Sequence, residues 1–214
     1  MNNLIWFRND LRLQDNSSLR EAMKGHKVIG FFCFESIFFQ KDEFGFKRTE
    51  KYRAKFLLET VTQLKKELEK LNISLYVYIG KSKKRLPQLI LQHDIDSVYL
   101  QKEWTRDEKN ILTTVKEKVP DSINFIECYD QFLFHPSDIP YDDFSSIPDI
   151  FTHFRKKCEA LCNIRPVKTI STSMPKENLI TNKNSVPTLK EIGFNDFQID
   201  TRSSFPFKGG ELEA

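Results

Sequence analysis

Two short segments of the 214-residue chain carry charged and aromatic side chains directly after predicted buried strands. They are residues 8–12, which read RNDLR, and residues 102–104, which read KEW. A carboxylate such as Glu103 can accept hydrogen bonds from an aminopyrimidine or pterin edge, and the indole of Trp104 offers a face for stacking. These residue types could therefore bind a planar heterocycle.

Each of these residues also has a purely structural interpretation. Arg8, Asp10 and Arg12 could form an ion-pair lattice that braces the turn after the first strand. Glu103 could cap the helix that follows it, and Trp104 could pack on a neighbouring helix. The residue types and their spacing leave both interpretations open.

Other chemistry finds little support in the sequence. The four histidines are scattered, and no nucleophile motif lies near any of them. Cys33, Cys128, Cys158 and Cys162 form no C-x-x-C pair, and the spacing of the last two fits a buried helix face as well as a metal site. Glycine-rich dinucleotide and P-loop motifs are absent. We expect no catalytic residue and no metal.

Composition predicts a soluble globular domain. Hydrophobic residues make up 39% of the chain and charged residues 29%, while the net charge of +3 is too small to require nucleic acid as a direct partner. The basic run at residues 81–85 could contact phosphate or form a solvated loop. No leader or membrane-spanning run is recognisable, and the cysteine pattern suggests reduced thiols. The predicted location is the cytoplasm.

Strands and helices alternate along the first 130 residues. Five apolar runs are predicted strands: residues 3–7, 28–34, 75–79, 97–101 and 124–127. Four segments between them are predicted helices: residues 17–24 after an Asn16 cap, 49–71, 86–93 and 105–118. This alternation predicts a doubly wound α/β fold with a five-stranded parallel sheet in the order 3-2-1-4-5. A ligand crevice should open where strands one and four end.

Two helices carry more detailed signals. Thr105 and Glu108 fit a capping box at the start of the fourth helix. The apolar residues of the second helix recur mostly every three or four positions and predict one buried face: Tyr52, Phe56, Leu57, Val61, Leu64, Leu68 and Leu71. After residue 130 the periodicity is lost. We therefore divide the chain into an α/β domain at residues 1–130 and an irregular connector at 131–214, with one helix near 150–162.

The sequence also resembles a known family. Residues 4–16, LIWFRNDLRLQDN, are similar to the N-terminal signature of DNA photolyases and cryptochromes. Residues 49–59, 147–156 and 164–166 resemble the DASH branch of that family. The resemblance covers essentially the whole chain.

The resemblance implies a fold and cofactors. Members of the family join an α/β antenna domain to a helical domain that holds FAD and damaged DNA, and they split pyrimidine dimers with blue light, in the DASH branch preferably in single strands. Many carry methenyltetrahydrofolate as an antenna, recognised by a glutamate after strand four that Glu103 matches. The implied cofactor-binding residues are Glu103, Lys102, Trp104, Arg8, Asn9 and Asp10.

The match to the helical domain stops early. Residues 205–214 resemble the entry to that domain, and the sequence lacks the residues that would hold FAD or grip a lesion. We expect a chromophore-binding domain without catalysis of its own, which reaches FAD and damaged DNA through a helical domain on the same or a second polypeptide. The alternative is a signalling or interaction module that has lost its antenna.

Overall fold

A computed structural model of the protein describes residues 1–182, 184–198, 200, 202 and 207–213. Five strands form one parallel sheet in the order β3-β2-β1-β4-β5, which confirms the predicted doubly wound topology. The strands are β1 Asn2–Trp6, β2 Lys27–Glu35, β3 Ser74–Gly80, β4 Ser97–Gln101 and β5 Asn124–Cys128.

Helices cover both faces of the sheet. They are α1 Ser17–Ala22, α2 Ser36–Phe39, α3 Lys51–Lys70, α4 Ser82–Gln92, α5 Arg106–Lys116 and α6 Phe151–Leu161, with short 3-10 turns at Pro136–Asp138, Phe144–Ser146, Lys176–Asn178 and Glu211–Glu213. Because neighbouring strand residues point to opposite faces, the sheet separates two cores. One core contains α1 and α3, and the other contains α4 and α5. Asn16 caps α1 as predicted, accepting from Leu19 N at 2.9 Å.

Two local predictions were wrong, and one short helix was missed. Helix α4 begins at Ser82, four residues early, so the basic run lies largely in its first turn rather than in a loop. Its start is fixed by the Glu35 carboxylate, which accepts from Ser82 N at 2.8 Å. The short helix α2 was missed. Thr105 makes no side-chain cap at the start of α5, so the predicted capping box does not form.

The N-terminal end of α3 also departs from the predicted pattern. Tyr52 and Phe56 are 62% and 43% exposed, whereas Ala54, Leu58 and Val61 are buried. The buried face of the first two turns is therefore rotated relative to the predicted one, with a small residue, Ala54, against the sheet.

The connector packs against the domain instead of extending from it. Met174, Ile192 and Phe194 are buried in the core beside α3. The Asn178 side chain accepts from Val28 N at 2.8 Å and donates to Val28 O at 2.9 Å, and so completes the backbone pairing of β2 where β3 has not yet begun.

Further along, the connector covers the sheet edge. Ser74 of β3 exchanges hydrogen bonds with Ile180 N and O at 2.8 and 2.7 Å, and Asn184 accepts from Val77 N. An open edge strand is thus protected against pairing with another chain. The division at residue 130 stays a prediction, and the predicted helical-domain entry at 205–214 lies partly outside the described residues. Within the described part, no helix is long and apolar enough to cross a bilayer.

Candidate functional site

The turn after β1 is braced by Asp10. This carboxylate is buried, and its Oδ1 accepts from Arg8 N at 2.9 Å, which closes a two-residue turn. Asn16 Nδ2 donates to the backbone oxygen of Asp10 at 3.3 Å. Burial raises the pKa of Asp10, partly opposed by the backbone hydrogen bond from Arg8. Asp10 therefore shapes the loop that presents its neighbours.

Arg12 fixes the same loop through carbonyl oxygens. Its Nη2 donates to Asp15 O and to Asp130 O, both at 2.9 Å. Among the ion pairs of the described residues, none joins Arg8, Asp10 and Arg12 to one another. The loop is thus braced by hydrogen bonds to the backbone, and the ion-pair lattice considered as one alternative is not formed.

Arg8 points away from Asp10 and towards α5. Its Nη2 donates to Glu108 O at 2.7 Å, and its guanidinium lies 5.2 Å from the centre of the Trp6 ring. The other terminal nitrogen, Nη1, is buried and has no hydrogen-bond partner in the described part of the chain. Burial lowers the pKa of Arg8, opposed by the charges of Glu103 and Glu108. Arg8 therefore offers one unused donor in a desolvated position.

Glu103 is half-buried beside this loop. Its Oε1 accepts from Asn9 Nδ2 at 3.0 Å and from Gln101 Nε2 at 3.2 Å. No backbone N–H of α5 donates to Glu103 in the described structure, so the capping alternative for this carboxylate finds no support. The loop after β1 and the loop after β4 are joined directly by Asn9 and Glu103.

Lys102 and Trp104 belong to an aromatic group at the open end of β4. The Trp104 ring is 43% exposed and lies 5.6 Å from Tyr129 and 5.7 Å from Phe132. Lys102 Nζ lies over both the Tyr129 and Trp104 rings, at 5.2 and 5.9 Å from their centres. Sequence analysis missed Tyr129 and Phe132, because they lie where the periodic pattern ends.

A cavity of about 700 Å³ lies over the carboxyl ends of β1 and β2, between α3 and α5. Its apolar lining comes from Trp6, Phe7, Leu11, Phe32, Phe34, Phe38, Phe39, Phe56, Leu57 and Ile111. Its charged and polar lining comes from Arg8, Asn9, Arg12, Glu35, Arg48, Thr49, Arg53, Thr60, Ser82, Glu108 and Glu211. The predicted crevice between β1 and β4 is thus displaced towards β2, since the wall opposite α5 is built by α2 and α3.

Only part of the predicted site lines this cavity. Arg8 and Asn9 do, whereas Asp10, Lys102, Glu103 and Trp104 lie outside its lining. Asn9 connects the two places, because it lines the cavity and donates to Glu103.

Arg8 and Glu108, two residues of the cavity lining, each carry one side-chain atom that has no partner in the described residues. These atoms are Arg8 Nη1, a donor, and Glu108 Oε2, an acceptor, and both are inaccessible to solvent. An unpaired buried polar atom costs about 1–3 kcal/mol, so such atoms call for a ligand or water. Glu108 was interpreted from the sequence only as a capping residue, and nothing in the neighbouring sequence indicates that it lines a cavity. No cluster of three or more potential metal ligands occurs in the described part.

Fold and cavity together define a doubly wound α/β domain with a cavity at the carboxyl edge of its sheet. The chain belongs to the DNA photolyase family, whose model matches residues 3–175. Cryptochrome DASH of Gloeobacter violaceus is 32% identical over 210 residues, covering 97% of this chain and 42% of the relative. The chloroplastic/mitochondrial cryptochrome DASH of Arabidopsis thaliana is 31% identical over 213 residues, with 97% and 37% covered.

Solved structures agree with this assignment. The cryptochrome of Synechocystis sp. PCC6803 superposes with a TM-score of 0.88 at 31% identity, over 99% of this chain and 44% of that one. A photolyase from Sulfolobus tokodaii, described with two FAD molecules and a novel light-harvesting cofactor, has the same fold, with a TM-score of 0.65 at 20% identity over 89% and 45% of the chains. The chain spans about two fifths of the length of the curated relatives named above.

Proposed function

We propose that this chain is the light-harvesting, chromophore-binding domain of a blue-light, FAD-dependent photolyase or DASH cryptochrome. The observation that carries the proposal is the cavity of about 700 Å³, which is lined by several aromatic side chains and lies in a domain of the DNA photolyase family. When bound, a chromophore there absorbs light and passes excitation energy to a flavin held elsewhere. This needs no acid, base or nucleophile from the chain, and we assign it no catalytic residue.

The cavity is the position that we favour for the chromophore ring. Aromatic side chains such as Phe34 and Phe38 would exclude water from a planar ring, while Arg8, Asn9 and Glu108 supply polar side chains to the same lining for its polar edge.

A second arrangement follows from the sequence resemblance. In it, methenyltetrahydrofolate lies at the edge after β4, and its pterin contacts Glu103. The neighbours expected to take part are Lys102, Trp104, Arg8, Asn9 and Asp10. The exposed ring of Trp104 and the half-buried carboxylate of Glu103 are compatible with this arrangement, whereas Asp10 would act through the shape of its loop.

One matched pair of variants separates the two arrangements. Glu108→Gln and Glu103→Gln each remove one charge and keep the side-chain size. The purified protein is titrated with methenyltetrahydrofolate and, separately, with FAD, and binding is followed by near-ultraviolet and visible absorbance after unbound ligand is removed. Weaker binding by Glu108→Gln alone supports the cavity, and weaker binding by Glu103→Gln alone supports the edge. If the wild-type protein retains neither compound, the chromophore-domain proposal fails for these two ligands.

The remaining activity would belong to other parts of the protein. We propose that the parent protein repairs cyclobutane pyrimidine dimers, preferentially in single-stranded DNA, and that FAD and damaged DNA are bound by a helical domain. Exposed apolar side chains around α6 support docking of such a domain: Phe144 is 92% exposed, Phe151 71% and Ile164 66%. A cytoplasmic location is part of this proposal.

The competing function is a signalling or interaction module without an antenna. The exposed apolar side chains around α6 favour it as much as they favour a helical domain. Retention of a chromophore by the purified protein would contradict this function, because a module that has lost its antenna would not bind one.

A further inference from the structure

One wall of the cavity is formed by a segment remote in sequence from the strands that build the rest of it. Residues 209–212, here called the closing segment, run between α3 and the loop after β1, and Gly210 and Glu211 line the cavity. This segment is more than 145 residues from its partners on α3, so its position depends entirely on tertiary contacts.

Two hydrogen bonds attach the closing segment to α3. Gly209 N donates to Glu59 Oε2 at 2.9 Å, and Leu212 N donates to Gln63 Oε1 at 2.9 Å. Glu59 is held in turn by Lys55, whose Nζ lies 2.8 Å from its Oε1. The acceptors lie one helical turn apart, so they fix both ends of the segment along one side of α3.

The fit on α3 requires glycine. A Cβ atom on Gly209 would lie 2.1 Å from Phe56 O and 2.6 Å from Thr60 Oγ1. Phe56 O is backbone and also accepts from Thr60 Oγ1 at 2.8 Å, so it cannot move aside without disturbing the helix. Gly210 has φ +134°, a value that L-residues avoid, and its Cβ would lie 2.4 Å from Gln63 Oε1.

Glu211 ties the segment to the opposite wall. Its carboxylate accepts from Leu13 N at 2.7 Å and from Gln14 N at 3.0 Å, one oxygen for each. These amides continue the loop that carries Arg8, Asn9 and Arg12, three residues of the cavity lining. The closing segment therefore bridges α3 and the β1 loop across the cavity.

We propose that binding in the cavity and docking of the closing segment stabilise each other, so that the segment controls how firmly the chromophore is held. The inference rests on the proposed function, since it requires a ligand in the cavity. A ligand that contacts the docked segment binds the docked state more tightly, and its apparent affinity falls with the docked fraction. By reciprocity, the ligand must increase the docked fraction by the same factor.

The test compares Gly209→Ala and Gly210→Ala with Gly80→Ala. Gly80 has φ +132°, nearly the same as Gly210, but a Cβ there would meet nothing within 4 Å, and Gly80 does not line the cavity. Methenyltetrahydrofolate and FAD serve as probes. We expect Gly209→Ala and Gly210→Ala to weaken binding about tenfold or more, and Gly80→Ala to leave it near the wild-type value.

Hydrogen exchange of the wild-type protein supplies the reciprocal measurement. Saturating ligand should slow exchange at the amides of Leu13 and Gln14, which donate to Glu211, and at the amide of Leu212. The control is the amide of Leu19, which donates to Asn16 away from the segment.

The outcomes separate the two proposals. Binding by the wild-type protein with equal affinities in all three glycine variants overturns the coupling and leaves the chromophore proposal standing. Unchanged exchange at Leu13, Gln14 and Leu212 on ligand addition also overturns the coupling. If the wild-type protein binds neither probe, the chromophore proposal and the coupling fail together for these ligands.

Discussion

The two sides of β1 are built in different ways. On the β2–β3 side, the sheet edge is covered by the connector, the core includes Met174 and Phe194, and α3 and the closing segment form part of the cavity wall. On the β4–β5 side, β5 is only partly buried and the polar and aromatic residues after β4 remain near solvent. We call the β2–β3 side the closed side and the β4–β5 side the open side. On the closed side the connector and the closing segment bury side chains and backbone groups of the sheet and its helices, whereas on the open side the half-buried Glu103 makes hydrogen bonds to side chains only. Substitutions on the closed side should therefore affect folding and binding in the cavity, and substitutions on the open side should have smaller effects on stability.

The largest effect is expected from filling the cavity. Leu57 is half-buried on α3 and lines the cavity, so Leu57→Trp should occupy ligand space and weaken chromophore binding by about 100-fold or more. Tyr52→Trp on the same helix, at a position 62% exposed, is the matched control. Binding is measured by absorbance titration, with circular dichroism to confirm the fold. Unchanged binding by a folded Leu57→Trp protein would show that the chromophore does not bind in this cavity.

The next effect is on stability. Asn178→Ala removes two buried hydrogen bonds, to Val28 N and Val28 O, and a partly buried one to Asn72 O, and leaves these backbone groups without that partner. We expect a loss of about 3 kcal/mol in the free energy of unfolding, measured with urea. The exposed connector residue Asn195 provides the control, Asn195→Ala. A loss below about 0.5 kcal/mol would show that the connector does not hold the closed side together.

A smaller effect should appear as a pH dependence on the β3 side. Burial lowers the pKa of His93 from its ordinary value of 6.5, with Lys27 acting in the same direction. Below pH 6.5 His93 binds a proton in the unfolded chain but remains neutral in the folded protein. The free energy of unfolding therefore falls as the pH falls from 6.5 towards the lowered pKa of the folded state. His93→Phe should keep the contact with the Tyr76 ring, now 5.2 Å between centroids, and reduce this slope.

The measurement is urea unfolding at about pH 7.5 and about pH 5.5. His153→Phe, at an exposed position on α6, is the control and should retain the wild-type slope. An equal slope in His93→Phe would place the acid-sensitive group elsewhere.

The smallest effect on stability is expected on the open side. Glu103 is half-buried, and its hydrogen bonds to Asn9 and Gln101 link side chains only. Glu103→Gln should change the free energy of unfolding by less than about 0.5 kcal/mol in thermal or urea unfolding. A loss of 2 kcal/mol or more, on the order of a buried hydrogen-bond network, would mean that the open side is as strongly constrained as the closed one.

Much of the fold could be predicted because its signals are local. Each buried parallel strand is a continuous apolar run. Asn16 caps α1 by accepting from the backbone N–H of Leu19, only three residues further along the chain. The start of α4 was missed because its cap is Glu35, which lies 47 positions earlier in sequence. Tyr52 and Phe56 were misassigned because a spacing of three or four does not say which face of a helix meets the sheet.

The candidate site was predictable only in part, for the same reason. Arg8, Asn9 and Glu103 follow buried strands, and neighbouring strands bring their carboxyl ends together, so their proximity follows from topology. The partner of Arg8 could not be foreseen, because Glu108 O lies a hundred positions away and Glu108 also fits a capping pattern.

The sequence by itself determined the alternation of strands and helices, the order of the parallel sheet and the family to which the chain belongs, since all three depend on local periodicity and contiguous motifs. Only the tertiary structure decided where the cavity lies, which of its polar atoms remain unpaired and how Asn178 and the closing segment are used. These features arise where segments more than a hundred residues apart pack together. Whether a given atom is buried there depends on all of the segments that surround it.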